Sequence, residues 1–220
     1  MTFADRHEAG RKLAEKLLSF QDRDPVVLAL PRGGVPVGYE IARALSAPLD
    51  LVLVRKLGAP GQPELAIGAI ALGIKPEIVT DQNLIAELGV TSTELAAIQA
   101  RELQELGRRR ERYCAHRPPV PLAGRTAILV DDGIATGATM RAALRATRAA
   151  APAHLVLAVP VAPPETLTEL AEEADEIVCL ERPRRFFAVG QFYRSFSQLE
   201  DQEVLDLLNR ARLPPTGRAQ

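Results

Sequence analysis

The chain has 220 residues, 47% of them hydrophobic and 25% charged, with a formal net charge of -1 at pH 7. That length supports one domain with a substantial core, and that composition excludes extended disorder. The near-neutral balance excludes a global positive field drawing the chain to nucleic acid or an anionic membrane, although Arg108, Arg109, Arg110 and Arg112 form a local basic cluster.

Met1 to Gly10 carries Asp5, Arg6, His7 and Glu8, unlike the basic start and apolar run of a signal peptide. No stretch reaches the roughly twenty apolar residues that cross a bilayer, so a cytoplasmic protein with no membrane partner is expected. From Asp5 to Phe20, Ala9, Leu13, Leu17 and Phe20 recur at helical intervals among charges, predicting an amphipathic helix. Val26 to Leu30 is a short apolar run, the pattern of a strand buried on both faces, and it ends at Pro31-Arg32-Gly33-Gly34. A helix over Val35 to Leu45 and a second buried strand over Leu49 to Val54 complete a βαβ unit, so the sheet begins parallel. Gly58, Pro60, Gly61 and Pro63 mark Arg55 to Glu64 as a mobile loop, and Leu65 to Leu72 with Glu77 to Thr80 predicts a hairpin adding an antiparallel edge strand.

Thr91 to Arg112 reads as a long helix with one apolar stripe, followed by a linker holding Pro118, Pro119 and Pro121. Ala127 to Val130 is another apolar strand, running into Asp131-Asp132-Gly133 and then a helix from about Met140 to Ala150. Strands over Leu155 to Val161 and Glu176 to Leu180 flank a helix near Glu165 to Glu173, which gives an α/β sheet covered on both faces. The end of the chain differs: it holds Phe186, Phe187, Phe192, Tyr193 and Phe196, a short helix near Gln202 to Ala211, and a polar tail. Cys114 and Cys179 stand far apart without metal or redox spacing and are expected as buried thiols. His7, His116 and His154 have no partners at recognisable spacing.

The segment from Ile128 to Thr139 places two carboxylates at the carboxyl end of a strand and a small-residue loop at a helix start. That edge of an open parallel sheet is where ligands bind. Backbone N–H groups of such a loop, the positive end of the helix and the hydroxyls of Thr136 and Thr139 suit a phosphate dianion. Asp131 and Asp132 cannot attract that phosphate, so they suit sugar hydroxyls or a magnesium ion, directly or through water. An aspartate pair can also serve as a turn former and helix cap, but the attached loop favours the ligand reading.

This segment resembles the 5-phosphoribosyl 1-pyrophosphate motif of type I phosphoribosyltransferases: a hydrophobic strand, two acids, then a loop ending Thr-Gly-x-Thr. The nucleotide triphosphate loop is excluded because Gly-Lys-Ser/Thr is missing. The resemblance implies that Asp131 and Asp132 contact the ribose hydroxyls and that Ala135, Thr136, Gly137, Ala138 and Thr139, after Gly133, hold the 5-phosphate. Ala135 stands where hypoxanthine-type enzymes carry an aspartate that serves the base; the loop is more like that of adenine-type enzymes, which does not establish adenine as acceptor.

Ala29 to Pro36 resembles the family's pyrophosphate loop, with Arg32 as a planar fork of donors and Gly33 and Gly34 allowing close backbone approach. Lys56, in the loop from Arg55 to Glu64, falls where family members carry a flexible lid, here taken over about residues 55-75; a mobile cation there would neutralise the leaving pyrophosphate and exclude water. The aromatic segment from Arg182 to Phe196 corresponds by position to the variable acceptor-binding hood, about residues 181-213. Base stacking and core packing are both open for its rings.

Over about Asp24 to Leu180 the resemblance implies a three-layer α/β/α fold in a single domain spanning residues 1-220. It implies a mostly parallel sheet ordered 3-2-1-4-5-6, strand 3 antiparallel, plus a small hood. It further implies transfer of a phosphoribosyl group to a nitrogen nucleophile, a nucleobase foremost, with Mg2+ as cofactor and a homodimer as a common state. Lys56, Arg32, Asp131 and Asp132 are the expected catalytic residues. A non-catalytic sensor of 5-phosphoribosyl 1-pyrophosphate is the alternative, although the near-neutral charge speaks against nucleic acid as its partner. A phosphatase-like hydrolase finds no Gly-x-Ser-x-Gly elbow in the chain.

Overall fold

The computed structural model describes residues 2–72, 76–114 and 118–211; His116 and the polar tail lie outside them. Helix α1 (Arg6–Leu17) is capped by the Asp5 carboxylate, which accepts from the Glu8 N–H, and it buries Ala9, Leu13 and Leu17. β1 (Pro25–Ala29), α2 (Gly34–Leu45) and β2 (Leu49–Leu51) form the first crossover. β3 (Leu53–Ala59), β4 (Gln62–Leu72), β5 (Pro76–Thr80), α3 (Gln82–Glu87) and α4 (Ser92–Cys114) follow. β6 (Thr126–Val130), α5 (Ala138–Arg148), β7 (His154–Val161), α6 (Pro164–Leu170), β8 (Glu176–Glu181) and α7 (Asp201–Arg210) complete the order.

The central sheet has five strands in the order β2-β1-β6-β7-β8, every neighbouring pair parallel. Side chains alternate across it, as strand geometry requires. Val27, Ala29, Ile128 and Val130 pack with Leu13, Leu17, Val37 and Ile41 of α1 and α2. Val26, Leu28, Ala127 and Leu129 face the other way, onto Met140, Leu144, Leu167 and Leu170 of α5 and α6. Both faces are therefore covered, which is why these strands read as unbroken apolar runs.

The expected fold class is found, and the parallel strands keep the expected order; the antiparallel strand does not stand at their edge. β3, β4 and β5 form a separate three-stranded antiparallel sheet, and the single strand expected over Leu49 to Val54 is split between the two sheets. Val52 N–H still donates to the Ala29 carbonyl at 3.1 Å, and from Leu53 onward the chain pairs with β4 instead. The mobile loop expected over Arg55 to Glu64 is likewise a ladder, with Ala59 opposite Gln62 and a tight turn in which Gly61 has φ 73°. Gly58 sits at the irregular register there, where a Cβ would come within 2.4 Å of the Pro63 carbonyl oxygen. No described helix is long and apolar enough to cross a membrane.

Candidate functional site

β1 and β6 are neighbours, with Ala29 level with Val130, so the two loops leaving their carboxyl ends start side by side. The contact between them is close. Gly34 packs on the Val130 carbonyl and on Asp131, and Gly33 lies against the Asp132 carboxylate, where a Cβ would meet Oδ2 at 2.1 Å. Two segments about a hundred residues apart in sequence thus form one corner at the topological switch point. The peptide between Pro31 and Arg32 is cis.

After Asp132 the chain turns over Gly133, and the Ile134 N–H is taken by the Val161 carbonyl at 3.0 Å. The N–H groups of Ala135, Thr136 and Gly137 donate to no acceptor among the described residues, nor do those of Arg32 and Gly33. Gly137 adopts φ 77° and opens α5, whose first turn leaves further amides unpaired. The Thr166 hydroxyl donates to the Ala135 carbonyl at 2.8 Å and so holds the loop from α6. Unpaired amides, the positive helix end and small side chains together give this loop a surface that favours an anion.

Asp131 and Asp132 stand together and largely out of water. Burial, then the Asp132 charge, pushes the Asp131 carboxyl well above the usual carboxylate range. Burial also raises Asp132, although Arg6 works against it. Arg6 Nε donates to Asp132 Oδ2 at 2.7 Å, and the two side chains are 11% and 13% exposed. Asp132 N–H donates to Asp131 Oδ1 at 2.8 Å, and the Tyr193 hydroxyl donates to the Asp132 carbonyl at 2.6 Å.

Arg32 NH1 lies 3.8 Å from Asp201 Oδ1 at the start of α7, a loose pair in which Asp201 also takes Arg112 at 2.5 Å and the Tyr113 hydroxyl. Lys56 is exposed and makes no ion pair among the described residues. It pairs with Ala69, which packs on Ala142 and Ala146, so its side chain lies on the face that α5 covers. Arg55 points to the opposite face, where Nε donates at 2.7 Å to the buried Glu102 of α4. The loops of β1 and β6 are thus brought together. Lys56 sits in an ordered strand of the small sheet rather than in a loop.

The hood rests directly on the acids. Val189 covers Gly133, where a Cβ would be 2.6 Å from Val189 Cγ1. Tyr193 is buried and pairs with Phe3, and the backbones of the two segments are joined by Phe3 N–H to the Phe192 carbonyl and Arg194 N–H to the Phe3 carbonyl, both at 2.8 Å. Core packing is therefore the state of Tyr193, whereas Phe187 is 89% exposed and Phe186 stacks on Phe192 with centroids 5.4 Å apart. Sequence reasoning missed Arg6, Thr166, Asp201 and the structural part of Tyr193. His7, expected to have no partner, donates from Nδ1 to buried Glu40 at 2.9 Å, and His154 lies 3.7 Å from Asp175 and from Glu176. Cys114 and Cys179 form no disulfide, and each is half-buried rather than fully buried.

Residues 5–195 match the phosphoribosyl transferase domain family, a span wider than the 24–180 stretch that carried the resemblance in sequence. Two Mycobacterium tuberculosis proteins provisionally named phosphoribosyl transferases, from strains CDC 1551 / Oshkosh and H37Rv, are each 48% identical over 210 residues. The match covers 95% of this chain and 47% of each of theirs, so the chain spans about half the length of these relatives. The crystal structure of TT1426 from Thermus thermophilus is 44% identical with a TM-score of 0.81, covering 96% of this chain and 99% of that one. With 191 consecutive residues matched and the motif loops meeting in space, the chain belongs to the phosphoribosyl transferase family.

Proposed function

We propose that the chain binds 5-phosphoribosyl 1-pyrophosphate and transfers its phosphoribosyl group to a nitrogen nucleophile, a nucleobase foremost, releasing pyrophosphate. One observation carries the reading: the unpaired amides of Ala135 to Gly137 and the carboxylates of Asp131 and Asp132 adjoin the Arg32-Gly33-Gly34 corner. A phosphate, a pentose and a second phosphate group need those three surfaces in that order.

In this assignment Ala135, Thr136, Gly137, Ala138 and Thr139 hold the 5-phosphate, Asp131 and Asp132 accept from the ribose hydroxyls, and Arg32 with Gly33 and Gly34 receives the pyrophosphate. The nitrogen lone pair attacks the anomeric carbon, the bond from that carbon to the pyrophosphate oxygen breaks, and the nitrogen passes its proton to water. Arg32 leaves its loose contact with Asp201 to meet charge growing on the leaving group, and Lys56 adds a second cation. Positioning two reactants supplies most of the remaining acceleration.

The acidic pair also fits magnesium. The two carboxyl groups are within hydrogen-bonding reach of each other and share one arginine, an excess of negative charge that a cation would relieve. No cluster of three metal-binding side chains occurs among the described residues, so an ion held by Asp131 and Asp132 would take its other ligands from pyrophosphate and water. Magnesium bound there would neutralise the departing pyrophosphate.

The test is pyrophosphate release from 5-phosphoribosyl 1-pyrophosphate and magnesium across a panel of bases and amines, beside calorimetric titration of the same sugar. Release with one acceptor class is expected, and the Asp131→Ala, Asp132→Ala double variant should neither bind nor turn over. Binding without release for any acceptor would favour the sensor. No binding by the wild type would overturn the reading.

A further inference from the structure

The acid pair is held from an unexpected quarter. Arg6, in the first turn of α1, reaches across 126 residues of sequence to Asp132 Oδ2. Its second edge is also engaged, NH1 donating to the Ser197 carbonyl at 2.9 Å, and its flat face lies 3.8 Å from the Phe196 ring centroid. Phe196 in turn stacks on Tyr193 at 5.0 Å, and Tyr193 bonds the Asp132 backbone. A guanidinium with two bonded edges and a covered face holds one orientation, and it transmits that orientation to its partner.

Asp132 has little freedom left. Gly33 closes one side of its carboxylate, Arg6 closes another, and Tyr193 fixes its carbonyl. The pair is nearly buried, so breaking it leaves a carboxylate with neither water nor a counter-charge.

We propose that Arg6 is a positioning residue of the sugar site, aiming the Asp132 carboxylate at the ribose hydroxyls and tying that aim to a seated hood. This rests on the proposed function, which makes Asp132 a ribose contact. A lysine would keep the charge but lose the fork and the stack. Arg6 therefore acts through geometry as well as charge, and it lies in the amino-terminal helix, apart in sequence from the two motif loops.

The experiment measures calorimetric affinity for ribose 5-phosphate and, separately, for inorganic pyrophosphate, without added metal, in the wild type, Arg6→Lys, Arg6→Met and Phe196→Leu. Arg6→Met should weaken ribose 5-phosphate at least about tenfold and leave pyrophosphate unchanged, since one buried charge contact is lost at the sugar only. Arg6→Lys should recover only part of that loss, and Phe196→Leu, which keeps every charge, should weaken the sugar in the same direction. Equal binding of the sugar by Arg6→Met and wild type overturns the proposal, as does full recovery by lysine, which would reduce Arg6 to a counter-charge. Parallel loss of both ligands also overturns it, by showing general disruption. A wild type that binds neither ligand, with magnesium added as well as without, would instead sink the proposed function itself.

Discussion

Gly33 shows how closely residue identity and site geometry are tied. A methyl group there would stand 2.1 Å from Asp132 Oδ2, inside any nonbonded contact distance, so Gly33→Ala must turn the carboxylate away and stretch its bond to Arg6. The variant should still fold, with a loss of about 1–3 kcal/mol for the overpacked corner. Its affinity for ribose 5-phosphate should fall to the limit of detection in titration calorimetry; an unchanged affinity would show that the orientation of Asp132 does not matter. Gly33 was legible in the sequence because glycine after a buried strand marks close approach. Arg6 was not. It sits among Asp5, His7 and Glu8 in a run that looks solvated, and nothing in a linear pattern points to a partner on another layer.

At the scale of elements, buried parallel strands were the easiest to find. Val26 to Leu30 and Ala127 to Val130 are apolar on both faces because helices cover both faces, and their shortness together with their β-branched residues sets them apart from a buried helix. The break at Val52 left no such mark. Leu51 to Val54 is continuous in hydrophobicity, and whether Leu53 pairs with β1 or with β4 depends on strands elsewhere in the chain. The glycines and prolines after Lys56 suggested a loop, yet Gly58 and Gly61 serve a register irregularity and a tight turn within a hairpin. Thr166 was missed because its task is done from a neighbouring helix. Its hydroxyl pins the Ala135 carbonyl, and its methyl group lies where a side chain on residue 137 would be, 2.9 Å from that Cβ position. Thr166→Val keeps the methyl contact and removes the donor. It should cost about 1 kcal/mol in urea unfolding and weaken inorganic phosphate binding a few-fold; full phosphate affinity would show that the loop holds its shape without α6.

Across the whole molecule two sets of carboxylates pull the pH dependence of stability in opposite directions. Burial pushes Glu40 up, but the His7 bond and the Arg43 charge outweigh it and leave its pKa lowered. Burial likewise raises Glu102, and the bonds to Arg55 and Arg101 more than reverse it. For such groups the unfolded chain binds more protons, so their stabilisation is present above about pH 4 and is lost as pH falls through their folded values. Asp131 and Asp132 have raised values, first through burial. There the folded chain binds more protons between the ordinary and the raised pKa, so stability decreases as pH rises through that window. The free chain should therefore be most stable on the mildly acidic side, falling steeply in acid and gently toward neutrality. Urea unfolding of the wild type from pH 3 to pH 8 reads this directly. Asp131→Asn, whose amide oxygen can still accept the Asp132 N–H, should flatten the neutral limb and raise the thermal midpoint at pH 7 by about 2–4 °C for each kcal/mol recovered, while abolishing ribose 5-phosphate binding. A wild type that gains stability steadily up to pH 8, or an Asp131→Asn variant that melts lower, would mean that the acid pair holds the fold together. The expected result means the reverse: α1, the hood and the two loops confine a pair of charges that the folded chain would be more stable without, which is the energetic signature of a binding site.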